Sequence, residues 1–483
     1  MIRTTVNSAI FLTGSRIAGM AVGIVLTPII LEHLGLELMG LYGLLAGILA
    51  YCALLDFGTG VAGMRFLTEA RSGSDPAAAR RIYGTLNCVA AAVSLVALLI
   101  SVLVMPQVIP LLEIPAGLRG LARWGVVLVA VTFALNLYKQ QLHALLNAAG
   151  RFRQPALLEL GGTLLYALGM IVLIPRYPYF ETLVYGHLAQ IVAVVSFDLA
   201  YGRHLGYRFR DMAVFRWHGE AFHRVFAFSR NIWLSNLSGI VAFESQKLFL
   251  GAMVSLEAVA TYHIAGRFTS VQRSIGTGFA TPLIRHATNA YAEGRIDEFR
   301  RQFKRAFVLF SWVQITFFAL LFCFAERALM VWLGDQCPPD AALLLRLQAA
   351  GLFCLLLNTV MNSFARAAGL TLPELWSAGT AIVSALLGNY LLIMYFGVVG
   401  AAIANMLSLA LAAATYGYFV WKLSGLFRAT GLVGAGLRLI LPSALLFGLC
   451  LSTHFQLPLP DGRLDGLIWL SVACAPPALL AGL

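Results

Sequence analysis

An all-α, polytopic membrane protein with about fourteen spanning helices is the fold class that this sequence predicts. Three observations carry the prediction. Of 483 residues, 60% are hydrophobic and only 12% are charged, whereas a soluble domain carries about 25% charged residues. The apolar residues fall in fourteen stretches long enough to cross a bilayer, which takes about 20 residues of helix. The basic residues alternate from one side of those stretches to the other, as the positive-inside rule requires.

Taken in order, the expected spans are 6–31, 39–67, 83–106, 121–147, 156–175, 180–202, 228–253, 257–284, 305–333, 341–365, 375–396, 398–421, 434–453 and 467–483. Pro28, Gly58, Gly60 and Pro282 lie inside spans. Neighbouring helices can satisfy a backbone interrupted at such residues. The last span is short and contains Pro476-Pro477. The expected organisation is a six-helix bundle over 1–205, an amphipathic cytoplasmic linker over 206–227, a second six-helix bundle over 228–425, and two further helices over 426–483. The linker mixes Arg with Phe, Trp217 and His, and reads either as a segment lying in the membrane interface or as a plain basic connection.

The net charge is +12, from 34 Lys and Arg against 22 Asp and Glu. On a soluble chain such an excess points to nucleic acid. Here it sets topology. With the N-terminus inside, 22 of the 34 cations fall on the cytoplasmic side, among them Arg71, Arg80 and Arg81, Arg151 and Arg153, and the run from Arg295 to Arg305. Six fall outside and six lie within spans. Both termini are therefore expected in the cytoplasm, and no nucleic-acid partner is expected. Met1-Ile2-Arg3 leads into apolar sequence without a small-residue cleavage site, so the first span is expected to be retained rather than removed as a signal peptide. The seven cysteines form no CxxC, which excludes a disulfide scaffold or a zinc site of that kind. No Walker A motif, kinase signature, HExxH or nucleophile–base arrangement occurs, so neither enzymatic chemistry, a cofactor nor a bound metal is expected.

The chain repeats itself. Leu36-Glu37-Leu38-Met39-Gly40-Leu41-Tyr42 and Leu256-Glu257-Ala258-Val259-Ala260-Thr261-Tyr262 share L-E-x-x-[GA]-x-Y at an offset of 220 residues. Ala148-Ala149-Gly150 and Ala367-Ala368-Gly369 follow at 219, and Tyr179-Phe180 and Tyr395-Phe396 at 216. Six spans separate the copies, an even number, so the halves have the same orientation. They form a parallel repeat of the kind that transporters use, with the substrate site expected at the repeat interface.

Charges inside spans are costly and mark sites or pairs. Arg16, Asp56, Arg65, Lys139, Glu244, Lys247, His263, Arg267 and Arg273 qualify. Their concentration in the first two helices of each copy predicts a cationic chamber lined by Arg16, Lys247, Arg267 and Arg273. Asp56 and Glu244 are the carboxylates for ion coupling. Such a chamber suits an anion, because guanidinium forks match phosphate oxygens. Glu244 and Lys247 stand i, i+3 and equally read as a pair satisfying each other. Arg267 and Arg273 are six apart and partly on different faces. Arg65 and Asp198 lie near the inner boundary and read as reaching toward the headgroups.

The Asn7-to-Arg16 opening, Leu36 to Gly43, Leu55-Asp56-Phe57-Gly58, and Lys247 to Gly251 followed by Glu257 to Tyr262 resemble the polysaccharide-biosynthesis flippases of the multidrug/oligosaccharidyl-lipid/polysaccharide exporter superfamily, the O-antigen flippases among them. The resemblance covers about residues 1–425. It implies alternating access between two six-helix bundles and movement of an undecaprenyl-pyrophosphate-linked oligosaccharide from the inner to the outer leaflet of a bacterial cytoplasmic membrane. It further implies membrane lipids, a polysaccharide polymerase and glycosyltransferases as partners, and a pyrophosphate facing Arg16, Lys247, Arg267 and Arg273. Fourteen helices resemble the lipid II flippase branch, in which the extra pair helps to form a lipid-tail groove. A cation-coupled multidrug or metabolite antiporter of the same fold is the alternative, kept open by Asp56 and Glu244. A membrane enzyme acting on polyprenyl lipids ranks last, because the outer segments near 107–120 and 454–466 are short.

Overall fold

The computed structural model describes residues 2–56, 58–72, 75–151, 153–207 and 212–423, with five further positions between 443 and 450. Those residues form helices and turns and no strand. The helices are α1 (Ile2–Cys52), α2 (Thr59–Ser72), α3 (Pro76–Leu99), α4 (Arg119–Ala148), α5 (Arg153–Arg176), α6 (Phe180–His204), α7 (Gly219–Met253), α8 (Leu256–Ala292), α9 (Ile296–Leu333), α10 (Ala341–Leu357), α11 (Thr359–Ala367) and α12 (Leu372–Leu423). The first twelve expected spans fall on these helices. The spans 434–453 and 467–483 lie outside the described residues, apart from the five positions.

Two helices are twice the length of one span, and glycine divides each. In α1, Gly35 adopts φ +79°, and in α12, Gly397 adopts φ +55°, values at which a side chain would be strained. At Gly397 the chain turns back on itself. Ser377 Oγ donates to the Ala412 carbonyl at 2.8 Å and Ser408 Oγ to the Ala381 carbonyl at 2.9 Å. A methyl group on Gly400 would lie 2.0 Å from the Leu392 carbonyl oxygen, so only glycine lets the two arms approach this closely.

The span expected over 39–67 is not one helix. It stops at Cys52, passes through a tight turn over Ala53–Asp56, and restarts at Thr59. Gly58, at φ +72°, makes the break possible. Asp56 accepts a hydrogen bond from the Thr59 hydroxyl, and the Trp233 indole donates to the Leu54 carbonyl at 2.6 Å, replacing a partner that the broken helix cannot supply. A methyl on Gly60 would meet the end of the Gln140 side chain, at 2.8 Å from Oε1.

The internal repeat is visible in the backbone. Gly150 and Gly369 end α4 and α11 at φ +77° and +76°. In both turns the residue after the glycine donates back five positions: Arg151 N–H to the Leu146 carbonyl at 3.0 Å, and Leu370 N–H to the Ala365 carbonyl at 2.9 Å. That 6→1 bond over a left-handed glycine is the Schellman termination.

The chain divides into two units. One is Met1–Ile240 with Gly251–Ala260, and the other is Val241–Leu250 with Thr261–Leu483. In the first unit the two copies of the L-E-x-x-[GA]-x-Y motif touch, because Gly40 abuts the Leu256 carbonyl, which a methyl would meet at 1.9 Å. The Glu113 N–H donates to the Gly251 carbonyl at 2.8 Å beside it. The residues Met212–His218 run as a strap along α3. Tyr83 OH donates to the Met212 carbonyl and Asn87 Nδ2 to the Val214 carbonyl, each at 2.9 Å, while the His218 N–H donates to Thr85 Oγ1 at 3.2 Å. Tyr83, Thr85 and Asn87 are all buried.

Substituting Asn87→Leu leaves the buried Val214 carbonyl without its donor. It should destabilise the protein by about 1–3 kcal/mol, read as a lowered thermal midpoint in detergent. An unchanged midpoint would show that the strap is not held by this bond.

Candidate functional site

A cavity of about 210 Å³ opens inside the second unit. Its walls come from α7, α8, α10 and α12. From α7 it takes Phe243, Glu244 and Lys247. From α8 it takes Tyr262, His263, Gly266, Arg267, Thr269, Ser270 and Arg273, with Gln348 and Leu352 on α10 and Asn405 on α12. The spacing of His263, Gly266, Arg267, Ser270 and Arg273 at steps of three and four is one stripe of a helix. Arg267 and Arg273 thus line one cavity, although six residues separate them. Six residues is close enough to two turns that side chains of this length converge.

Polar bonds shape the walls. Gln348 Nε2 donates to the Tyr262 carbonyl at 3.2 Å, and Asn405 Nδ2 donates to the Ala242 carbonyl at 2.8 Å. These amides tie α10 to α8 and α12 to α7. Ser270 Oγ turns back to donate to the Gly266 carbonyl at 2.7 Å. A methyl on Gly266 would be 3.5 Å from Gln348 Oε1.

The charge balance is the chemical character of the site. Lys247 Nζ lies 2.6 Å from Glu244 Oε2, with both side chains largely shielded, so the i, i+3 pairing and the cavity position hold together. The guanidinium of Arg273 lies over the Phe243 ring at 4.6 Å, a contact that orients a cation without neutralising it. Arg267 Nε is buried and has no hydrogen-bond partner. With Glu244 engaged by Lys247, the two guanidiniums leave the lining cationic, and they can offer forked donors to an anion.

Other singled-out residues lie elsewhere. Asp56 sits in the turn before α2, where it accepts from Thr59, whose hydroxyl in turn accepts from Gln141 Nε2 at 2.9 Å. It belongs to the first unit and lines no part of this cavity. Arg16 is on α1, outside the residues whose side chains are described. Arg65 stacks on Phe228 at 4.4 Å.

Two polar pairs in the first unit escape sequence reasoning. Lys139 on α4 meets Glu159 on α5 at 2.9 Å. Asp198 on α6 is fully buried and binds His143 Nε2 at 2.8 Å, rather than reaching the headgroups. His143 is the partner that keeps its carboxylate inside the helix packing. The signal for Lys139 and Glu159 was present, one charge on each of the neighbouring fourth and fifth spans, whereas His143 and Asp198 lie on the fourth and sixth.

With this geometry in hand, the comparisons with known proteins are informative. Residues 232–391 match the MatE family. Among curated proteins none matches the chain in sequence. Among solved structures, the lipid II flippase MurJ in an inward closed conformation is similar with a TM-score of 0.72 and 12% identity, over 98% of each chain. An inward-facing multidrug resistance MATE family transporter of the MOP superfamily is similar at the same TM-score of 0.72 and 14% identity, over 85% of this chain and 96% of the other. A MOP superfamily transporter from Pyrococcus furiosus, described as having a binding pocket of reverse polarity, is similar at 0.58 and 16% identity, over 87% of this chain and 96% of the other. The fold is that of a MOP-superfamily transporter. The protein is thus a multi-pass membrane protein of transporter fold, and that fold is shared by a flippase and by multidrug transporters.

Removing one partner of the buried Glu244–Lys247 pair strands the other. Lys247→Met should lower stability by about 3 kcal/mol, and Lys247→Met/Glu244→Leu should recover most of the loss. Thermal midpoints of the two single variants and the double variant complete the cycle. Additive losses would mean that the pair does not hold its surroundings.

Proposed function

We propose that this transporter is a flippase for an undecaprenyl-pyrophosphate-linked oligosaccharide, which it carries from the inner to the outer leaflet of a bacterial cytoplasmic membrane by alternating access. The observation that carries this reading is the charge of the cavity. Lys247, Arg267 and Arg273 face one carboxylate, which Lys247 already engages. A site for cationic drugs needs the opposite balance. A pyrophosphate carries several acceptor oxygens, and a pair of guanidiniums in a space poor in water binds such a group more strongly than it would in bulk water. The similarity to the lipid II flippase over 98% of the chain supports the same reading.

In this scheme Arg267 and Arg273 hold the phosphates, and the Glu244–Lys247 pair supplies a further cation when the carboxylate is otherwise engaged. Gln348, Ser270 and Asn405 offer neutral donors and acceptors to sugar hydroxyls or to water. Arg16 is the counterpart expected from the first copy of the repeat. The competing reading is a cation-coupled antiporter using Glu244 or Asp56, and the equal TM-score of a MATE transporter favours it.

Reconstituted vesicles loaded on one leaflet with a lipid-linked oligosaccharide separate the two. Transfer to the other leaflet is expected. Export of a cationic dye driven by a sodium or proton gradient, without lipid transfer, would overturn the flippase reading. Arg267→Ala should lower the transfer rate by about tenfold or more, the scale of a lost charge-assisted hydrogen bond. Arg267→Lys should retain part of the rate, because a point charge replaces a fork. Arg16→Ala should abolish transfer while the protein still accumulates in the membrane. Full activity in that variant would remove Arg16 from the site.

A further inference from the structure

A second cavity lies in the first unit, apart from the cationic one, and the proposed cargo does not account for it. It measures about 490 Å³, within the range of small-molecule and cofactor pockets. It opens where α2 ends and α3 begins, between the expected spans 39–67 and 83–106.

Its floor is apolar. Leu67 and Tyr83 belong to a buried cluster of the unit, and Leu145 packs on it. The hydroxyl of Tyr83 is committed to the Met212 carbonyl of the strap, so what the residue contributes to the lining is its ring. The rim is basic. Arg71 and Arg80 both line it. Arg71 Nη1 donates to the Tyr207 hydroxyl at 2.8 Å, which fixes the guanidinium through a neutral partner and leaves its charge uncancelled. Among the described residues, the carboxylate in the lining is Asp75, which caps α3 by accepting from the Ala78 N–H at 2.8 Å and stands 4.0 Å from Arg81, a residue outside the lining. Its charge is therefore shared with a cation that does not face the cavity.

An apolar floor beneath two guanidiniums, at the end of two membrane spans, fits an amphiphile with an anionic head. Such basic pockets between spanning helices on the cytoplasmic side hold lipid headgroups, and the Arg-rich side of this chain is the side on which the pocket opens. We propose that this pocket binds one anionic phospholipid of the inner leaflet, its phosphate between Arg71 and Arg80 and the start of an acyl chain over Leu67, Tyr83 and Leu145. A free phosphate would satisfy the rim and leave the floor uncovered. A lipid satisfies both. The placement rests on the positive-inside topology and not on the identity of the cargo. Its test reads lipid retention, which is independent of transport.

Native mass spectrometry of the full-length detergent-purified protein, titrated in turn with phosphatidylglycerol, phosphatidylcholine and undecaprenyl phosphate, tests it. One phosphatidylglycerol is expected to stay bound under conditions that strip phosphatidylcholine. Arg71→Gln/Arg80→Gln should weaken that binding by about 30-fold, while Arg71→Lys/Arg80→Lys, which keeps the charge, should retain most of it. The melting midpoint of each variant, compared with that of the parent, reports folding. Equal retention of phosphatidylcholine, or unchanged binding in the folded Gln variant, would overturn the proposal. Displacement of phosphatidylglycerol by an equimolar amount of undecaprenyl phosphate would also overturn it, by assigning the pocket to a carrier lipid.

Discussion

Every backbone amide and carbonyl that leaves a regular helix inside a membrane must find a partner within the protein, and this constraint organises the molecule. Side chains from neighbouring elements supply such partners, at a break in one case and along intact helices in others. Trp233 reaches the Leu54 carbonyl at the break after α1. Asn358, between α10 and α11, donates to the Ala413 carbonyl at 2.7 Å. Asn405 and Gln348 reach the carbonyls of Ala242 and Tyr262 within the intact α7 and α8, and Asn87 reaches that of Val214 in the strap. Individual bonds of this type contribute little, about 0.6 kcal/mol on average between membrane helices. Their value lies in direction. Leucine against leucine slides, while an amide aimed at one carbonyl fixes a register.

Amide bonds of the same kind frame the cationic cavity. The α7–α8 pair carries the charges, and amides from α10 and α12 hold it at Tyr262 and Ala242. Those two bonds flank the cavity on both sides. Side chains as long as Arg267 and Arg273 need a rigid base if they are to present forks to an anion rather than sweep through solvent. The Lys247–Glu244 contact and the Phe243 ring beneath Arg273 stiffen the α7 wall in the same way.

Much of this was legible in the sequence. The apolar helices, the repeat and the cluster of charges on the seventh and eighth expected spans all come from periodicity and spacing, properties a single helix reveals by itself. What was not legible involves two helices at once. Lys139 announces a problem, but Glu159 becomes its solution only when α4 and α5 are side by side. Asp198 could have faced headgroups, and only the packing against His143 decides otherwise. Gln348 and Asn405 look like minor polar interruptions of apolar stretches until their carbonyl partners are known. The break after Cys52 was hinted at by Gly58, but a glycine permits a turn without dictating one. Nothing in the composition of 212–218 says which helix it lies along.

The contact of Gly40 with Leu256 joins the two copies of one motif, and the offset of that motif aligns the residues around it. At the offset of 220, Glu244 and Lys247 correspond to Ile24 and Thr27, and Arg267 and Arg273 correspond to Gly47 and Ala53. Each charged position of the cavity is thus matched by an uncharged one in the other copy. The twin glycine turns kept their backbone, while the side chains at these positions diverged completely. The charges of the first copy, Asp56 and Lys139 among them, stand at other places. The halves are equal as architecture and unequal as chemistry.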